Sequence, residues 1–108
     1  MEIVDLSAIL NRDGDFEEAL PLDASHTDWS LIRIAPQVRH EIGAADLEER
    51  VLLALGGNAT LHLDGSRHTL ASGHLVAIDP GPAFSLWCEG TEPFEALLIT
   101  SPKPDEAS

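Results

Sequence analysis

The sequence predicts an all-β fold, a small antiparallel sandwich or barrel. Short apolar segments of strand length recur along the chain, with turn signals about every eight to twelve residues. Hairpin-type turns stand between them at Gly56-Gly57-Asn58, Asp64-Gly65 and Ser72-Gly73. Helical and strand patterns do not alternate and no long repeat is present, so neither a parallel α/β sheet nor a solenoid is expected.

The elements follow in order. Ile3, Leu6, Ile9 and Leu10, with polar residues between, fit either a short helix or a lead-in strand. Residues 11–15 form a turn cluster, and residues 17–28 have little period and should wrap the outside of the barrel. Residues 29–34 read as a strand stopped by Pro36, and residues 38–42 as a second, ended by Gly43-Ala44-Ala45. Residues 46–50 are turn-like or open the next strand, and residues 50–55 are an apolar run of buried-strand length. Residues 59–63 and 67–70 pair about Asp64-Gly65, a dipeptide suited to the positive φ angles of a tight hairpin. Residues 75–78, 84–88 and 94–100 are the last strands. The turn Asp79-Pro80-Gly81-Pro82 is rigid, because both prolines fix φ and lack a donor. Residues 1–28 are thus a lead-in segment packed on the barrel, 29–100 the barrel and 101–108 a loose tail.

A chain of 108 residues, 44% of them hydrophobic, has material for one domain with one core. Aromatic residues are only 5% and tyrosine is absent, so that core is built mostly of Leu, Ile, Val and Ala. Lys and Arg number 6 against 19 Asp and Glu, a net charge of −13. Nucleic acids and anionic membranes are bound by neutralising phosphates, which this chain is poorly equipped to do, so neither is an expected partner. The acidity reads as solubility. Cys88 is the sole cysteine, so no internal disulfide forms, and a buried inert thiol is expected. No apolar run is long enough to span a membrane, and the first residues lack a basic n-region, so a cytoplasmic location is expected. Nucleophile-elbow, phosphate-loop and Cys-x-x-Cys motifs are all missing.

Three stretches carry a family resemblance. They are residues 49–57, then Leu61-His62-Leu63-Asp64-Gly65, then residues 70–81. In order and spacing they resemble a small single-domain cupin, over roughly residues 29–100. The resemblance implies a jelly-roll-like antiparallel barrel with two metal-binding motifs. The first is Gly, five residues, His-x-His, three or four residues, Glu, six residues, Gly. Its last part is matched by Glu49, six residues, Gly56. The second is Gly, five residues, Pro-x-Gly, two residues, His, three residues, Asn. Gly73 is followed by five residues and then Asp79-Pro80-Gly81, but Phe84 holds the histidine position and Cys88 the asparagine position.

The family pattern has a simple cause. Histidines at i and i+2 of a strand point to one face, and the glutamate and third histidine reach the same point from neighbouring strands to hold Fe, Mn or Zn. Here the histidine pair fails. Standard spacing to Glu49 gives Ile42 and Ala44, or Gly43 and Ala45. Taking His40 first gives Ile42 second and a loop two residues longer; this alignment is preferred, since Arg39-His40-Glu41 falls where such a strand should sit. At most His40 and Glu49 survive as ligands, and two ligands without a third do not hold a divalent ion. No metal and no other cofactor is expected.

His40 is then either a residual ligand or general base, or a hydrogen-bonded strand histidine at the barrel mouth. Glu49 is either an inward carboxylate in need of a partner, or a solvated strand-start residue. Arg33 and Arg39 lie on the two strands before it; each either pairs on the surface with one of the many acids, or lines the cavity and binds an anionic ligand. His62, His68 and His74 have no metal spacing and default to the surface, and His26 says little. Phe84, Leu86 and Cys88 share a face, which with Ile42 would make the former metal site apolar. Trp87 points the other way, toward a dimer interface or under the N-terminal segment. The leading expectation is a cupin-like domain that binds a small molecule in the barrel, through Arg33, Arg39, His40, Ile42, Glu49, Phe84 and Leu86. The alternatives are a small cupin enzyme, metal-independent and epimerase- or isomerase-like with His40 as base or atypically metal-dependent, and a dimeric structural or regulatory module. A homodimer is expected, as cupins often pair through their sheets.

Overall fold

The computed structural model describes residues 3–11, 14–21 and 27–102. His26 and residues 103–108 of the expected tail lie outside the described residues. Two antiparallel sheets face each other. The first has the order β1 (Phe16–Ala19), β2 (Asp28–Ile34), β9 (Phe94–Pro102), β4 (Glu48–Gly56), β7 (Leu75–Ile78). The second has the order β3 (Arg39–Ile42), β8 (Phe84–Cys88), β5 (Asn58–Leu63), β6 (Ser66–Ala71). Consecutive strands mostly cross from one sheet to the other, so the sheets close into a flattened barrel with its core between them.

Alternation decides what faces inward. Ile32 and Ile34 of β2, Leu52 and Ala54 of β4, Phe84, Leu86 and Cys88 of β8, and Phe94, Ala96 and Leu98 of β9 are all buried in one cluster. Each sits on every second residue of its strand, as pleating requires. Ile42, Ala59, Leu61, Leu70 and Ile78 complete the cluster.

The turns behave as their residues require. Asp64 and Gly65 both have positive φ, 53° and 81°, which matches the twist of the β5–β6 hairpin. Gly57 alone joins β4 to β5 and turns the chain from one sheet to the other at φ 75°. A Cβ there would lie 2.3 Å from the Pro93 carbonyl oxygen, so only glycine fits. Next to it, β4 carries a bulge against β9 between Ala54 and Gly56.

The N-terminus settles one open alternative and adds one strand. The first segment resolves as a short helix, α1 (Leu6–Leu10), with the Asp5 carboxylate accepting from the Ser7 amide at 3.1 Å as its N-cap. Residues 17–28 show little period in the sequence, yet the stretch opens within a strand, β1, that pairs with β2 from Phe16↔Arg33 to Ala19↔Ser30. Phe16-Glu17-Glu18-Ala19 has weak intrinsic strand preference, and its pairing with a sheet edge overrides that.

Candidate functional site

One end of the barrel is closed by the β3–β4 and β7–β8 connections. They are tied by reciprocal hydrogen bonds, Ala45 N–H to the Gly81 carbonyl and Gly81 N–H to the Ala45 carbonyl, both 3.0 Å. Beneath them lies the side chain of Arg50, only 2% exposed. Its phase on β4 is that of Leu52 and Ala54, so the strand carries it into the barrel. Nη1 donates to the Gly43 carbonyl at 2.8 Å and Nη2 to the Pro82 carbonyl at 3.0 Å, one from each connection. The guanidinium stands 5.0 Å from the centre of the Phe84 ring. Nε is buried without a hydrogen-bond partner among the described residues. No carboxylate within ion-pair distance neutralises this cation among the described residues.

Glu49 is therefore corrected. It occupies the opposite phase of β4 and is exposed on the outer face. The glutamate position of the cupin pattern, separated from its glycine by six residues, counts back from the corner glycine Gly57 to Arg50, not from Gly56 to Glu49. The signal was present in the sequence. Arg50 shares the period-two phase of Leu52 and Ala54, whereas Glu49 does not.

His40 and Ile42 share the inward phase of β3, opposite Leu86 and Phe84 of β8. His40 has neither Glu49 nor Arg39 beside it, because both lie on outward faces. Its Nε2 instead lies 3.3 Å from Glu17 Oε1, on β1. β1 and β3 are edge strands of opposite sheets, so this contact spans the open side of the barrel.

Arg33 and Arg39 do not line the interior either. Arg33 is on the outer face of the first sheet, where Nε and Nη2 both donate to Glu95 Oε2, at 3.0 and 2.6 Å, and Phe16 flanks the guanidinium at 5.8 Å. Arg39 is on the outer face of the second sheet, 5.9 Å from the Trp87 ring. That face also carries His62 and Arg67, paired across β5 and β6. Two shallow depressions share His62 there. One of about 230 Å³ is lined by Glu41, His62, Ala83, Phe84 and Ser85. The other, of about 200 Å³, is lined by Arg39, His62, Arg67, Trp87 and Glu89. The remaining candidates are quiet. The Ala71 N–H donates to His74 Nδ1 at 3.0 Å, His68 is exposed on β6, and buried Cys88 donates to the Glu92 carbonyl at 3.2 Å.

The donor set at the barrel end does not suit a divalent metal. The pattern's ligand positions hold His40, Ile42, Arg50 and Phe84, and a buried guanidinium repels a cation. Among the described residues no three His, Cys, Asp or Glu side chains converge to hold an ion. No helix among the described residues is long and apolar enough to cross a membrane.

No family model matches the sequence, and no curated protein matches it. Solved structures do match. A Cupin 2 conserved barrel domain protein from Salinispora arenicola CNS-205 superposes with TM-score 0.76 at 24% identity, covering 99% of this chain and 91% of that one. An uncharacterized conserved protein with a double-stranded β-helix domain from Klebsiella pneumoniae subsp. pneumoniae MGH 78578 gives TM-score 0.79 at 17% identity, covering 94% and 90%. The Cupin_2 domain of an XRE family transcriptional regulator from Enterobacter cloacae gives 0.75 at 16%, covering 86% and 100%. The fold is that of a small cupin domain. At these identities the likeness extends to architecture and not to activity.

Proposed function

We propose that this domain is a metal-independent cupin-type binding module for a small organic anion, with Arg50 as the counter-charge at the closed end of the barrel. One observation carries the reading: a fully buried guanidinium with an unpartnered Nε and no carboxylate within ion-pair distance among the described residues. Burying such a charge costs several kcal/mol unless it is paired. Two neutral carbonyls are modest partners, and a carboxylate or phosphate makes bonds about twice as strong. The connections that supply those carbonyls are exposed at Gly43, Ala44, Pro82 and Ala83, so a ligand enters by displacing them. Ile42 and Phe84 then offer it an apolar wall.

Calorimetric titration with succinate, benzoate and inorganic phosphate tests this on the wild type and on Arg50→Met. Methionine keeps the apolar stem and removes the charge. Saturable binding of one probe to the wild type, lost in Arg50→Met, supports the reading. Absence of binding, or equal binding by both proteins, overturns it.

A second reading, pairing of two copies, is favoured by the outer face of the first sheet. Leu75 is 67% exposed there opposite Leu53, beside Val51, Leu97 and Ile99. Light scattering at micromolar concentration should give a dimer, and a monomer refutes it.

A further inference from the structure

Arg50 is not the only cation that stands without a carboxylate. The described residues contain four arginines. Arg50 is buried and Arg33 is bound to Glu95. The remaining two, Arg39 and Arg67, have no carboxylate within ion-pair distance among the described residues, and both line the same depression of about 200 Å³. In a chain of net charge −13 these two arginines share one depression with His62 and a single lining carboxylate, Glu89.

The strand register orders this depression along one axis. Arg39 pairs with Trp87 across β3 and β8, and Trp87 with Thr60 across β8 and β5. His62 and Arg67 lie two residues further in one direction, paired across β5 and β6. Glu89, just past the end of β8, lies two residues further in the other. Arg67 with His62, then the indole with Arg39, then Glu89 thus follow one another across the outer face of the second sheet, with Glu41 of β3 at the level of His62, on the other side of Ser85. The indole is half-buried, and the exposed Arg39 guanidinium stands 5.9 Å from its ring centre. A ring seated there stacks on the indole, whose half-burial reduces the entropy lost on binding.

We propose that this depression is a second binding site, separate from the barrel end, for a planar aromatic anion. The ligand's carboxylate or phosphate pairs with Arg67 beside His62. Its ring lies over Trp87 and Arg39, and a hydroxyl or amino donor on the far side of the ring meets Glu89. The order of charges rejects a ligand with anions at both ends, because the second would face Glu89.

Calorimetry with 4-hydroxybenzoate as the probe, at low ionic strength, tests the site. The wild type should bind it saturably. In an Arg50→Met background, used for this and for the comparisons below so that the barrel end contributes nothing, binding should persist, and affinity should fall by about tenfold or more on adding Arg67→Gln or Trp87→Leu. Arg67 is exposed, so Arg67→Gln folds normally. Terephthalate, with a carboxylate at each end, should bind more weakly than 4-hydroxybenzoate. Inorganic phosphate, which has no ring, should bind more weakly as well. No saturable heat, undiminished binding by Arg67→Gln, or terephthalate or phosphate binding as tightly as 4-hydroxybenzoate would overturn the proposal. Loss of binding in Arg50→Met with Arg67→Gln unaffected would also overturn it, and would leave the barrel-end reading standing.

Discussion

Replacing each of the two adjacent glycines at the end of β4 with alanine separates two accounts of the barrel. Gly57→Ala forces an L-residue to φ 75°, which costs roughly 1–2 kcal/mol. Its Cβ also meets backbone on one side, the Pro93 oxygen at 2.3 Å and Phe94 Cα at 2.9 Å. Neither atom belongs to a side chain that can swing aside, and such overpacking adds about 1–3 kcal/mol. Together the cost is about 2–5 kcal/mol, a large part of the ~5–15 kcal/mol that holds a domain folded. Gly56→Ala meets only the Glu95 carboxylate, at 3.2 Å, and its φ is ordinary. A few tenths of an ångström of side-chain movement relieves it, and alanine is the better strand residue, so the change should stay below about 1 kcal/mol. Urea denaturation of both variants measures the difference. Equal losses, or a greater loss in Gly56→Ala, would place the corner at Gly56 and return Glu49 to the inward phase, refuting the assignment of Arg50.

Further outcomes follow from the same geometry. Phe84→Ala removes a ring that is 3% exposed and stacked on Arg50, and should cost about 3–5 kcal/mol by denaturation. Glu49→Gln, on the outer face, should change stability by no more than about 0.5 kcal/mol and leave anion binding intact. The Ser7 hydroxyl foremost, then the Ala8 and Ser7 amides, hold the Asp5 carboxyl below its ordinary range. A lowered folded pKa means the cap is fully formed above the ordinary carboxylate pKa and is lost as pH falls through the lowered value. The Ser7 amide shift, followed by NMR, should therefore titrate with a midpoint below ~3.9, and a midpoint at or above it contradicts the cap.

The strands were legible where local chemistry and tertiary pairing agree. Leu75–Ile78 and Phe84–Cys88 were delimited by Gly73, by the two prolines of the intervening turn and by Gly90. Asp64-Gly65 specified its hairpin because few dipeptides tolerate two positive φ angles. The edge strand β1 was not legible, since its pairing with β2 is a tertiary event. At the barrel end, the shared face of Phe84, Leu86 and Cys88 was legible from hydrophobic phase, and the structure turns it inward with Ile42. Glu49 and Arg50 were not separated. The motif count favoured the acid, while the phase of Leu52 and Ala54 favoured the arginine, and one residue of slip exchanges the two faces. Arg33 alternates with buried Ile32 and Ile34, and Arg39 with His40 and Ile42, so both arginines fall on outward faces. Glu17, the partner of His40, lay on the strand that could not be read.

The central claim is that an arginine stands where this fold commonly places a metal ligand. Elemental analysis of the untagged protein, incubated in turn with iron, manganese, nickel and zinc salts and then dialysed, tests it most directly. The buried guanidinium, with isoleucine and phenylalanine at two other ligand positions, predicts no stoichiometric metal with any of the four. One tightly held equivalent per chain would contradict the account, and would mean that His40 and other side chains assemble a site around Arg50 rather than being displaced by it.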